Sequence, residues 1–191
     1  MYNIVEYQER EEGTGYMEID ESTCYKSFRN WGVGSLERVA TPPEKVIIDV
    51  VPFDGYKGEP PELSDSTVPL MSARLRKALL EAGVDNIVYH PVTLKNTETG
   101  QTYPFYAFNL IGLISATDFD ASNISSYDED FIGDGSIKGM AIDESKLHGQ
   151  NMFRLAEKFS AIFISDNVRK HIEASGIDTL KFILPEDYYA L

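Results

Sequence analysis

Two stretches of the chain alternate apolar and polar residues with the period of a helix, and they match each other. Ser72 to Asp85 is answered by Ser165 to Asp178, 93 residues later and without a gap. Leu75, Leu79 and Ala82 in the first, and Val168 and Ile172 in the second, fall on one helical stripe. Ser72 and Ser165 stand where an N-cap hydroxyl accepts from a free backbone N–H of the first turn. Gly83 and Gly176 stand where a helix ends in a left-handed residue, and Val84 and Ile177 follow as the apolar contact of a Schellman ending. Apolar runs flank each helix: Val68–Met71 and Asn86–Tyr89 around the first, Ala161–Ile164 and Thr179–Phe182 around the second. The repeated unit is strand, capped helix, strand. Arg76-Lys77 and Arg169-Lys170 read as solvated charge on the outer helical face.

The remaining pattern is mostly strand. Tyr2 to Gln8 and Gly15 to Ile19 are rich in β-formers, and Lys45 to Val51 is apolar enough to read as a central strand buried on both faces. Pro52 to Pro69, with Pro60 and Pro61, reads as a long irregular connection. Val88 to Leu94 is a strand ending in a hairpin-like turn at Lys95–Gly100. Tyr103 to Ser115 reads as a strand covered on both sides, Lys138 to Ile142 as a short strand, and Asp143–Leu147 as one helical turn. Pro185 ends the last strand before an acidic, aromatic tail. The fold expected is α+β: two strand–helix–strand units related by internal duplication, with helices packed on mixed β-sheets. No Gly/Ser-rich or Pro-rich linker separates them, so residues 1–191 read as a single compact domain with internal halves at about 45–115 and 138–185.

Charge sharpens this picture. The chain has 191 residues, with 31 acidic against 17 basic side chains and a formal net charge of −14. That field disfavours nucleic acid and anionic membranes and attracts basic proteins. One cysteine, Cys24, excludes an intrachain disulfide and a cysteine metal cluster and suits a reducing compartment. No signal-like segment opens the sequence and no run is long and apolar enough to span a bilayer, so a cytoplasmic protein is expected.

Tests for chemistry return little. His90, His148 and His171 fall in no nucleophile or zinc motif, no phosphate-binding glycine pattern sits between strand and helix, and no cofactor is indicated. Asp118, Asp120, Ser122 and Glu129 match four positions of a calcium loop, but Asn123 stands where glycine belongs. What remains is a surface of carboxylates interleaved with aromatics: Asp118, Asp120, Asp128, Glu129, Asp130 and Asp134, with Tyr127, Phe131 and the lone tryptophan, Trp31, as anchors. That combination suits docking onto a basic protein, where charge steers approach and aromatics hold. A calcium-binding or other regulatory module, a hydrolase with an unrecognised site, and a scaffold are the alternatives. Self-association is left open.

The order of features resembles the Imm11 family of bacterial immunity proteins. The resemblance is carried by Val51-Pro52-Phe53-Asp54, Leu70-Met71-Ser72 with Leu75, Phe108-Asn109-Leu110, Asp118 and Ser122, Phe153-Arg154-Leu155, and Ile164-Ser165 with Val168 before Gly176. It implies an α+β fold, genes beside polymorphic toxins of interbacterial competition, and a protein that binds and neutralises its cognate toxin domain without catalysis of its own.

Overall fold

The structure is a computed structural model that describes residues 1–7, 16–20, 22, 46–65, 68–125 and 136–190. Trp31, Tyr127, Asp128, Glu129, Asp130, Phe131 and Asp134 lie outside the described residues, as do Cys24 and the start of the predicted strand at Lys45.

The described chain is a mixed α+β fold, mostly sheet. One six-stranded sheet contains β2 (Tyr16–Ile19), β3 (Val46–Phe53), β4 (Leu63–Ser64), β5 (Leu70–Ser72), β6 (Ile87–Asn96) and β7 (Thr102–Leu110), in the order β2-β3-β6-β7-β5-β4. A five-stranded sheet contains β1 (Tyr2–Tyr7), β8 (Leu113–Ile114), β13 (Met152–Leu155), β14 (Ile162–Ser165) and β15 (Leu180–Ile183), in the order β15-β1-β14-β13-β8. The short strands β9 (Thr117–Asp118) and β12 (Ala141–Ile142) pair with each other, and β10 (Ile124–Ser125), β11 (Ser136–Lys138) and β16 (Tyr189–Ala190) make a third group. The tail after Pro185 therefore ends in a strand.

Two helices lie wholly within the described residues, α1 (Ala73–Glu81) and α2 (Asp166–Ala174), each beginning one residue after its serine. Ser72 Oγ accepts from the Leu75 N–H at 3.0 Å, and Ser165 Oγ from the Val168 N–H at 3.4 Å. Gly83 and Gly176 take φ of 79° and 71°, which costs a side-chain-free residue nothing. Val84 N–H then bonds to Leu79 O and Gly83 N–H to Leu80 O, the two bonds of a Schellman ending.

The two strand–helix–strand units share a topology. β5 and β6 are parallel with antiparallel β7 between them; β14 and β15 are parallel with antiparallel β1 between them. Likeness extends to side chains. Ser72 N–H bonds to Glu62 O and Ser165 N–H to Asn151 O, each at 2.8 Å. The Ser72 hydroxyl also donates to Glu62 and the Ser165 hydroxyl to Asn151. The guanidinium of Arg76 lies over Tyr89, and that of Arg169, 93 residues on, over Phe182, again 93 residues on. These arginines are packed on rings and not simply solvated. Tyr89 and Phe182 come from the strand after each helix, which spacing along the helix alone does not bring into view.

One core draws on both units. Leu75, Leu79, Met71 and Phe108 share it with Val168, Ile172, Ile162 and Ile164. Asn167 Nδ2 donates to Ala82 O, and Asn86 Nδ2 to Met152 O, stitching one unit to the other. Arg154, only 3% exposed, reaches from β13 to the segment after β4, where Asp65 takes it in a two-pronged ion pair at 3.0 and 2.6 Å.

Three strand expectations need correction. β3 is buried on one face only: Val46, Ile48 and Val50 are inside while Ile47 is 42% and Phe53 38% exposed. Its β-branched composition masks the alternation, because both faces carry apolar side chains. Pro52 belongs to β3 and pairs with Met17; β6 has stopped pairing at Val50, so the absent N–H leaves no bond unmade on that side. The run from Tyr103 breaks at Gly112, where φ is 92°, and Leu113–Ile114 crosses to the other sheet beside β13. Pro104 on β7 is exposed.

Candidate functional site

Of the acidic candidates, Asp118 and Asp120 lie in the described residues. Asp118 sits at the end of β9, held opposite Ala141. Its Oδ1 accepts from the Ala121 N–H at 3.1 Å, closing a turn that carries Asp120 outward, exposed. Ser122 finishes that turn: its hydroxyl donates to Asp118 O at 2.5 Å and accepts from the Ala141 N–H at 2.8 Å. Asp118 and Ser122 thus build the turn, as short polar side chains do when they substitute for backbone partners. The calcium-loop alignment spends two of its oxygens on this internal turn, and its Glu129 lies outside the described residues. Among the described residues, no three His, Cys, Asp or Glu side chains gather to hold a metal ion.

The other acidic candidates fall between β10 and β11, which pair through Ile124–Ile137 and Ser125–Ser136. Beside this pair opens a depression of about 540 Å³, lined in part by Ala121, Asn123, Lys138, Glu144 and Glu186. Glu144 and Glu186 are both exposed and line the depression together with Ala121, the residue after Asp120. The chain packs tightly there. A Cβ on Gly139, at φ 113°, would meet Glu186 O at 2.8 Å. Glu186 stands in the acidic tail already visible in the sequence; Glu144 has no local pattern to mark it, because its neighbours in space come from residues 121–123 and 184–186.

The histidines sit on different elements. His171 is on α2, its Nδ1 2.8 Å from Asn167 O. His148 is exposed in a left-handed turn at φ 49°. His90 is on β6, where burial pushes its pKa down. Buried carboxylates elsewhere serve the fold: Glu157 accepts from Ser115 and Thr117, and Glu62 from Ser72 and Arg74. No helix among the described residues is long and apolar enough to cross a membrane.

An α+β chain with a carboxylate-bearing turn, its buried acids committed to packing, agrees with membership in a class of immunity proteins. The sequence profile of the immunity protein family Imm11 matches residues 15–186, and the chain belongs to that family. No curated protein matched the chain. The motif residues have structural duties here: Val51-Pro52-Phe53-Asp54 closes β3 into a turn, Leu70-Met71-Ser72 leads into α1, and Phe153-Arg154-Leu155 supplies the ion pair to Asp65.

Proposed function

We propose that this chain is a cytoplasmic immunity protein that binds the effector domain of a cognate toxin and blocks its active site or substrate surface. Family membership over residues 15–186 carries the reading. A net charge of −14 sets the sign of the partner: a basic domain, of the kind that acts on nucleic acid, whose phosphate-binding surface an acidic protein can occupy. The contacts are assigned to Asp120, Asp128, Glu129, Asp130 and Asp134, with Tyr127, Phe131 and Trp31 as anchors and Asp118 shaping the turn. The protein acts by occupancy and not by turnover, with its two halves working as one unit. Their shared topology, N-cap partners and arginine–ring contacts support descent from one duplicated unit.

The test is co-purification with the C-terminal domain of the toxin encoded beside it. Reversing Asp120, Asp128, Glu129, Asp130 and Asp134 to lysine is expected to slow association at least about tenfold and to weaken the salt dependence. Unchanged association and unchanged neutralisation would remove the loop from the interface.

A further inference from the structure

The two units differ at one arginine. In the second unit, Arg169 of α2 lies over the Phe182 ring and is also hydrogen-bonded. Its Nε donates to Glu173 Oε1 at 2.8 Å, one turn on, and its Nη1 to Asn3 Oδ1 of β1 at 3.2 Å. In the first unit, Arg76 of α1 has the rings, with its guanidinium carbon 4.9 Å from Tyr89 and 4.5 Å from Tyr106. It has neither acceptor. The residue 93 positions before Glu173 is Leu80. Asn3 stands opposite Ile164, and Tyr106 stands opposite Met71, 93 positions before Ile164. The carboxylate and the amide of one unit are thus a leucine and a phenol ring in the other.

Arg76 makes no hydrogen bond or ion pair among the described residues, and its Nε is enclosed without an acceptor. The other cations of α1 are paired, Arg74 with Glu62 and Lys77 with Glu81. Acceptors are plentiful in a chain with 31 acidic side chains, yet none of the described ones is set against Arg76. Enclosed polar atoms in folded proteins are ordinarily paired, and an exception calls for a cause. The two rings also hold the guanidinium in place. A stacked planar fork loses little freedom when a carboxylate reaches it, and arginine and tyrosine are the types that carry much of the energy at protein interfaces. Leu80, 45% exposed and one turn along the same helical face, adds apolar area beside the fork.

We infer that Arg76, set on Tyr89 and Tyr106 with Leu80 beside it, is a docking point for an aspartate or glutamate side chain of the cognate toxin domain, which supplies the acceptor that Glu173 supplies to Arg169. The inference rests on the toxin-binding reading and deepens it. The acidic field draws a basic partner from a distance. One cation held rigid within that field then meets a carboxylate on the partner, which fixes the orientation and selects one toxin among many basic ones. Nucleic acid, whose phosphates an arginine fork also takes, is opposed by the net charge of −14.

The test uses the full chain and the toxin domain encoded beside it, with affinity measured by calorimetry. Arg76→Met keeps the apolar stem and removes the fork. It is expected to weaken binding at least about 30-fold, as loss of an interface anchor does, while the Tm of the free chain stays near wild type. Leu80→Glu places, four residues after Arg76, the carboxylate that Arg169 already has, and so sets two carboxylates on one fork when the toxin arrives. It is expected to bind at least about fivefold more weakly than Leu80→Gln, which removes the same leucine without adding charge. Steering of a basic partner by the added charge would act in the opposite sense, so the sign decides. If the wild type binds and Arg76→Met binds equally well with an unchanged Tm, the inference is overturned and toxin binding stands. Equal affinities of the two Leu80 variants, or tighter binding by Leu80→Glu, overturn it as well. If Arg76→Met lowers Tm by several degrees and leaves affinity unchanged, the chain itself serves the arginine and the inference is overturned. If the wild type does not bind, the immunity reading fails and takes the inference with it. If sedimentation shows a dimer that Arg76→Met disperses, the arginine serves a second copy of this chain, and the inference is overturned.

Discussion

Asp65 and Arg154 offer the sharpest test of how the two sheets are joined. Arg154 is 3% exposed and Asp65 17%, and the guanidinium makes two bonds to the carboxylate and one, at 2.8 Å, to Phe159 O. Its Nε meets no acceptor among the described residues. Asp65→Ala therefore leaves a buried cation with one carbonyl for company. Breaking a buried pair from one side costs about 3–5 kcal/mol, because the surviving charge stays desolvated. For a chain of this length that is a fall in Tm of about 6–20 °C. Arg154→Met removes the buried charge and keeps apolar volume, so the double variant should recover much of the loss. The coupling in the cycle should reach at least about 2 kcal/mol. The assay is urea unfolding of wild type, both single variants and the double variant, followed by fluorescence and circular dichroism. Coincident transitions are expected, since the pair joins segments of both sheets and the two units share a core. A cost below about 1 kcal/mol for Asp65→Ala, or strict additivity, would refute the argument that this pair is desolvated and holds the sheets together.

The serine caps should differ although their geometry matches. Each alanine substitution loses the cap, worth about 1 kcal/mol, and a donated bond; Ser165→Ala takes its donor from neutral, half-buried Asn151, whereas Ser72→Ala takes it from the buried carboxylate of Glu62 and should cost about 1 kcal/mol more; equal losses in thermal unfolding would contradict this. Tyr89 gives a pH test. Burial raises its phenol from 10.0 to about 12, with Arg76 pulling partly the other way. The unfolded chain thus ionises first, so the neutral phenol's contribution is full below pH 10 and is lost as pH rises through about 12. Tyr89→Phe should flatten the alkaline fall in Tm relative to wild type. Its buried hydroxyl has no partner among the described residues, so at neutral pH the substitution should leave stability unchanged or raise it by about 1 kcal/mol. A drop in Tm at neutral pH would show that the hydroxyl is bonded.

What could be read in the chain was local. Both helices, their serine caps and their glycine stops depend on residues within a few positions of each other, and the sequence pattern places them correctly. The strands around them were legible for the same reason. Side-chain environments were not. Arg76 looks solvated along its helix, yet Tyr89 and Tyr106, whose rings lie 4.9 and 4.5 Å from its guanidinium carbon, arrive from strands built later. Asp118 looks like a free carboxylate in an acidic run, yet the Ala121 N–H three residues on takes it into a turn. Composition hid the alternation of β3: Ile47, among β-branched neighbours, made the run from Lys45 to Val51 read as buried throughout, when only the face of Val46, Ile48 and Val50 is.

The strand that completes each unit shows where local reading ends. A capped helix nine residues long carries the chain from one parallel strand to the next but one, leaving a slot a single strand wide. Its backbone donors and acceptors must be satisfied on both sides. In the first unit the slot is filled by β7, delivered by the hairpin that follows β6; Asn96 holds its turn by accepting from the N–H groups of Glu98 and Thr99. In the second unit no such hairpin follows β15, because Pro185 starts a 3-10 turn. The slot is filled instead by Tyr2–Tyr7, from the far end of the chain, with Ile4 opposite Phe163 on one side and Ile183 on the other. The sequence repeat marks the helix and its two strands but not the strand between them. The second unit therefore closes only once its last strands have been made, through contacts between residues more than 150 positions apart.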